Sequence, residues 1–154
     1  RALGWRIDVG DHERRFELRI GEVVLSGSID WIERRGDEVR IVDLKTGRSK
    51  PSGPAIAEHA QLRAYQLAAA RGAIPTVPPE TTSAGARLLY PRDAKPIGDQ
   101  APLEPEELAA FEARVVDVAA RMAAATFTAL PLEHCLNEFA HGQCEIHVRR
   151  QVTE

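Results

Sequence analysis

Three segments with strand periodicity follow one another closely between Arg14 and Lys45: RFELRI, EVVLSGSIDWIE and EVRIVDLK, separated by Gly21 and by Arg35-Gly36-Asp37. Links this short allow only antiparallel hairpins, because a parallel return needs a crossover of a dozen or more residues. The front of the chain is therefore an antiparallel meander. Gly36-Asp37 reads as a two-residue hairpin loop with glycine at the first central position of a type II′ turn. Arg35 then faces Glu38, and counting outward sets Asp30 directly opposite Asp43. A four-residue loop, Arg35 to Glu38, gives the same register, since Arg34 still pairs with Val39.

Behind the meander the pattern changes. GRSKPSGP is a loop, and Ala55 to Arg71 reads as helix, with Ile56, Leu62, Tyr65 and Leu67 among alanines and Gly72 closing it. AIPTVPPETTSAG is a second loop, broken by prolines. GARLLYP reads as a short strand ended by proline. EPEELAAFEARVVDVAARMAAATFTAL is the strongest helical pattern, with Pro105 at its start, acids in its first turn, and Leu108, Phe111, Val115, Val118 and Met122 on one stripe. Strands followed by helix, strand and helix predict an α/β fold: an antiparallel meander, then helix, strand and helix around a mixed sheet.

At 154 residues, 44% hydrophobic and 28% charged, the chain is long enough for one core, so residues 1–154 are expected to form a single domain. No run of about 18 apolar residues occurs, so no membrane span is expected. The formal charge of −3 excludes a generally basic surface, and any grip on a polyanion must be local. Cys135 and Cys144 are too few for a disulfide framework, which fits a cytoplasmic setting. Arg1 stands where a methionine would begin a chain, and no charged-then-apolar leader follows, so the sequence reads as a fragment of a longer protein.

The most informative stretch is IVDLKTG, Ile41 to Gly47, an apolar strand that carries Asp43 and Lys45. Buried ions cost several kcal/mol unless compensated. The meander register puts Asp30 and Asp43 side by side, and a period of two puts Lys45 on the same face one step further. Like charges so placed repel, and a divalent cation reverses the sign. Two carboxylates with open positions suit Mg²⁺ or Mn²⁺, which take oxygen ligands and complete their shell with water and phosphate oxygens. Lys45 beside such an ion would stabilise the charge of a five-coordinate phosphate or orient the attacking water. A solvated Asp43–Lys45 ion pair is the alternative reading of the same spacing.

Taken in order, GSIDWIE, IVDLKTG and EHAQLRAYQLA resemble the RecB-like branch of the PD-(D/E)XK nuclease superfamily, found in bacterial helicase-nuclease machines of the RecBCD, AddAB and AdnAB type and in Cas4 proteins. The resemblance runs from RFEL to Leu67 and more loosely beyond. It implies a restriction-endonuclease-like core and metal-dependent cutting of DNA, with single strands fed by a helicase in cis or in a partner subunit during double-strand-break processing. It implies Asp30 as the acid of the G-x-(I/V)-D strand, and Asp43 and Lys45 as the D-x-K pair. The Leu44 carbonyl stands where the metal shell is often completed, and Gln61 and Tyr65 form the Q-x-x-x-Y motif near the scissile phosphate. A non-cleaving DNA-guiding domain of the same machine and a Cas4-like stand-alone exonuclease are the alternatives. The family's further metal ligand, on a helix before the first strand, has no counterpart ahead of Trp5. His12 and Glu13 lie too near the first strand for that role, so the ligand is expected upstream of Arg1. Many relatives carry an iron–sulfur cluster; here only Cys135 and Cys144 are present, with His147 where another cysteine would stand, so none is expected.

Outside these motifs, His59 lies two residues before Gln61, about 200° away on a helix, and is expected to face elsewhere. Arg48, Lys50 and Arg63 are placed to meet phosphates or remain solvated. Trp31 is expected in the core. Nothing supports a P-loop or a serine-nucleophile elbow.

Overall fold

The sheet grows outward from the predicted hairpins. In the computed structural model, which describes residues 4–47 and 50–124, strand β1 (Arg6–Ile20) pairs antiparallel with β2 (Val23–Arg35), and β2 with β3 (Glu38–Leu44). Helices α1 (Gly53–Ala57) and α2 (Ala60–Ala70) carry the chain to β4 (Thr82–Leu89), which lies parallel to β3. Strand β5 (Ile97–Gln100) adds antiparallel to β4, and helix α3 (Pro105–Ala123) follows. The order β1-β2-β3-β4-β5 makes a mixed sheet, as expected for the α/β class. Residues 4–117 of the described chain belong to one compact unit and 118–124 to a second. Among the described residues no helix is long and apolar enough to cross a membrane.

The hairpin register is the predicted one: Arg35 pairs with Glu38, Arg34 with Val39 and Trp31 with Val42. Gly36 has φ +65° and Asp37 is not left-handed, the signature of a type II′ loop. The core forms where α2 lies on the sheet, sealing Ile29, Ile32, Ile41, Leu62 and Leu88. In α3, Phe111 is buried as its stripe predicts, whereas Val118 and Met122 are exposed.

The structure departs from the sequence reading at five places. Strand β1 begins at Arg6 rather than Arg14, and β4 begins at Thr82 inside the stretch read as loop. Strand β5 was not foreseen because its buried positions are Gly98 and Gln100, so it carries no apolar alternation. The helix expected from Ala55 to Arg71 is broken at Glu58–His59, where His59 is extended (φ −65°, ψ 108°). The Gln100 side-chain amide donates to the carbonyls of Ile56 (2.8 Å), Ala57 (3.0 Å) and His59 (3.4 Å), taking acceptors that a continuing helix would use. Trp31 is only half-buried and does not join the core. Burial along β2 skips from Ile29 to Ile32, three residues on, so the strand turns its buried side over across Asp30 and Trp31. Beside this point β1 is irregular: its register shifts between Ile7 and His12, and Glu13 has φ +50°.

Gln66, buried on α2, donates to the side-chain oxygen of Gln100 at 2.9 Å and accepts from the Leu103 amide at 2.9 Å, so the two glutamines tie α2 to the β5 edge. That edge needs a glycine in β4. Gly85 has φ +82°, and a Cβ there would stand 2.2 Å from the Gln100 carbonyl oxygen. Gly85→Ala is expected to lower unfolding stability by at least about 2 kcal/mol, since strain and clash add. Gly21→Ala, left-handed but in open space, is expected to cost about 1 kcal/mol. Urea unfolding of both variants checks this, and equal losses would contradict the edge assignment.

Candidate active site

Three elements converge at the C-terminal end of β3. Trp31–Val42 is the last paired step of the β2–β3 hairpin, and Asp30 and Asp43 are the next residues on the two strands. The two strands are stitched there by side chain as well, for the Leu44 amide donates to Asp30 Oδ2 at 2.6 Å. Asp43 is 3% exposed, whereas Lys45 keeps its amine end partly open. Helix α2 supplies the third side, and its Gln61 and Tyr65 share a face as their spacing of four predicts.

The four side chains close a ring. Lys45 Nζ donates to Gln61 Oε1 at 2.6 Å, and Gln61 Nε2 donates to the Tyr65 hydroxyl at 2.6 Å. The hydroxyl lies 3.1 Å from Asp43 Oδ1 and 2.9 Å from the Ser28 carbonyl, either of which can take its single hydrogen. Lys45 Nζ, 2.7 Å from Asp43 Oδ2, completes the circuit as a charge contact. That oxygen is fully buried and receives no well-aimed hydrogen bond. Burial, with the Asp43 charge next to it, pushes the Tyr65 phenol well above its ordinary range against the opposing Gln61 bond, so it stays an O–H donor at neutral pH. Phe16 meets the Tyr65 ring edge-on, with centroids 6.0 Å apart, and fixes its position.

Every residue singled out around IVDLKTG is thus gathered at one place: Asp30, Asp43, Leu44, Lys45, Gln61 and Tyr65. The donor set suits a hard divalent cation, because Asp43 offers a buried oxygen met only by the Lys45 charge and Asp30 has one oxygen free of the Leu44 bond. Among the described residues no three His, Cys, Asp or Glu side chains gather to hold a metal, so these two carboxylates leave most of a shell open. Glu13, bracketed by the His12–Trp31 and Arg14–Ile29 pairs, is Asp30's neighbour in β1 and is exposed. Cys135, Cys144 and His147 lie outside the described residues, as does Arg48.

Other candidates fall out differently. Lys50 donates to the carbonyls of Lys95 (2.9 Å) and Ile97 (2.6 Å), and Arg63 pairs with Glu58 at 2.7 Å, so both serve the fold. His59 lies outside the helix on which its facing was reckoned. Its extended backbone precedes the helix, so the rotation of 100° per residue does not apply to it, and the charges of both Lys45 and Asp43 act on its ring. Ser28 was missed because it contributes a backbone carbonyl, which no side-chain pattern reports. A groove of about 650 Å³, lined by Arg15, Phe16, Ser26, Gly27, Ser28 and Pro75, runs along the first hairpin to within two residues of Asp30.

Removing the hydroxyl that joins Gln61, Ser28 and Asp43 tests the ring. Tyr65→Phe is expected to lose about 1–3 kcal/mol of stability, because it strands buried partners. Gln61→Ala, at an exposed corner, is expected to lose under about 1 kcal/mol. Urea unfolding measures both, and a neutral Tyr65→Phe would mean that the hydroxyl holds nothing in place.

No curated protein matches. The solved structure described as the crystal structure of SSO0001 is similar at 17% identity with a TM-score of 0.40, over 83% of this chain and 52% of that one, so the chain spans about half the length of that protein. The family model of the PD-(D/E)XK nuclease superfamily matches residues 2–148, nearly the whole sequence. The chain belongs to the PD-(D/E)XK nuclease superfamily.

Proposed function

We propose that this chain is a Mg²⁺- or Mn²⁺-dependent deoxyribonuclease module that hydrolyses single-stranded DNA delivered by a helicase, in cis or in a partner subunit, during double-strand-break processing and recombination repair. The observation that carries the catalytic part is the Asp43 carboxylate, 3% exposed, with one oxygen beside the Tyr65 hydroxyl and the other buried and answered only by the Lys45 charge at 2.7 Å, one strand from Asp30. Lys45 offsets part of the cost of that burial, and a divalent cation shared with Asp30 would offset more of it. Superfamily membership supports nuclease chemistry. The RecB-like assignment, the single strand and the helicase rest on the resemblance of the three motifs, taken in their order.

Asp30 and Asp43, with the Leu44 carbonyl, would hold the ion. When bound, a divalent cation polarises a phosphoryl oxygen and lowers the pKa of a water molecule. Lys45 Nζ, held 2.6 Å from Gln61 and 2.7 Å from Asp43, stands ready to stabilise the negative charge that gathers on the phosphate during attack. Tyr65 and Gln61 hold the acid and the amine in place, so that little reorganisation is needed at that moment. The Leu44 amide fixes the Asp30 carboxylate in the same way.

Cleavage of an end-labelled single-stranded oligonucleotide in Mn²⁺ and in Mg²⁺ tests this reading. Asp43→Asn and Lys45→Ala are each expected to reduce the rate by at least about 100-fold, the scale for losing a group aimed at developing charge, and chelation is expected to abolish cutting. Undiminished cutting by both variants would remove the catalytic assignment.

A further inference from the structure

His59 precedes the first turn of α2, the turn that delivers Gln61 to Lys45. Its backbone is pinned on three sides: its amide donates to the Ile56 carbonyl at 3.0 Å, and its own carbonyl receives the Arg63 amide at 3.1 Å and the Gln100 side chain at 3.4 Å. The side chain makes no capping bond to the helix, unlike the Ser, Thr, Asp or Asn usual at this position. Its Nδ1 is fully buried and has no hydrogen-bond partner. A buried N–H without an acceptor is rarer than a buried lone pair without a donor. The favoured tautomer therefore leaves Nδ1 bare and puts the hydrogen on Nε2, the one ring nitrogen left to meet a ligand.

We infer that His59 is a substrate-contacting residue whose Nε2–H donates to a non-bridging phosphate oxygen of the DNA strand at the start of α2. This rests on the proposed nuclease reading and adds to it a contact that neither the D-x-K strand nor the Gln61 and Tyr65 pair supplies. The electrostatics agree. Burial, and then the Lys45 charge, hold the imidazole below its ordinary range, with Asp43 opposing, so the ring is neutral at pH 7 and acts as a hydrogen-bond donor rather than as a second cation. A neutral donor is compatible with a neighbouring ammonium where a second positive charge would be repelled.

Asparagine and glutamine separate the two ring nitrogens, since an asparagine amide reaches about as far as Nδ1 and a glutamine amide about as far as Nε2. Asparagine is also a favoured residue at the start of a helix, so His59→Asn keeps the fold intact. Binding of a fluorescein-labelled oligothymidylate in Ca²⁺, followed by anisotropy, gives Kd, and cleavage in Mn²⁺ gives KM and kcat. His59→Asn and His59→Ala are expected to raise Kd and KM about tenfold with kcat nearly unchanged, the loss of one hydrogen bond to a charged group. His59→Gln is expected to stay within about threefold of the native protein. Native-like Kd in His59→Asn, or equal weakening in His59→Gln and His59→Asn, would overturn the contact. Asp43→Asn serves as the separate control: if it still cuts, the nuclease reading falls, whereas if it is dead and His59→Asn binds normally, only this contact falls.

Discussion

One carboxylate organises this molecule. Asp43 lies in a strand whose neighbours Ile41 and Val42 are sealed from water, and an ion so placed costs several kcal/mol unless the surroundings answer it. The answer comes from a ring in which Lys45 supplies charge, Tyr65 a hydroxyl hydrogen and Gln61 the link between them. Asp43 comes from β3, Lys45 from just past its end and the other two from α2, so the ring also fixes how the helix sits on the sheet. Function and fold are coupled at this point. The contacts that make the buried acid tolerable are the contacts that aim the amine beside it.

Placing α2 so exactly takes a second, quieter device at the far edge of the sheet. Gln66 and Gln100 are buried polar residues with their hydrogen-bonding groups engaged, and between them they stop α1, restart the chain at His59 and anchor α2 to β5. Gly85 lets β4 come close enough to β5 for this to happen. On the opposite side, β2 turns its buried face over between Ile29 and Ile32, and Asp30 stands at the turnover with its carboxylate on the Leu44 amide. Irregular pairing of this kind is a common way to re-aim a side chain next to a reactive centre.

How much of this was legible in the sequence follows from what each signal depends on. The Asp30–Asp43 juxtaposition was readable because a two-residue hairpin loop fixes register and register fixes neighbours, both short-range facts. Gln61 and Tyr65 were readable as partners because four residues make about one helical turn. What failed depended on distant atoms. The break before α2 is held by Gln100, some forty residues later, so no local pattern announced it, and the helical rotation used to place His59 does not apply to a residue ahead of the helix. Strand β5 escaped because its inward residues are a glycine and a glutamine, and Trp31 was misread because strict alternation does not survive a strand that turns over.

The central claim is that Asp30 and Asp43 share one divalent cation. Anomalous diffraction from a crystal soaked in Mn²⁺ tests it most directly. The account predicts a peak bound by a carboxylate oxygen of each residue, at about 2.0–2.6 Å as for hard cations with oxygen ligands, and no such peak in Asp43→Asn. A manganese peak that touches neither carboxylate, or one that persists unchanged in Asp43→Asn, would contradict it.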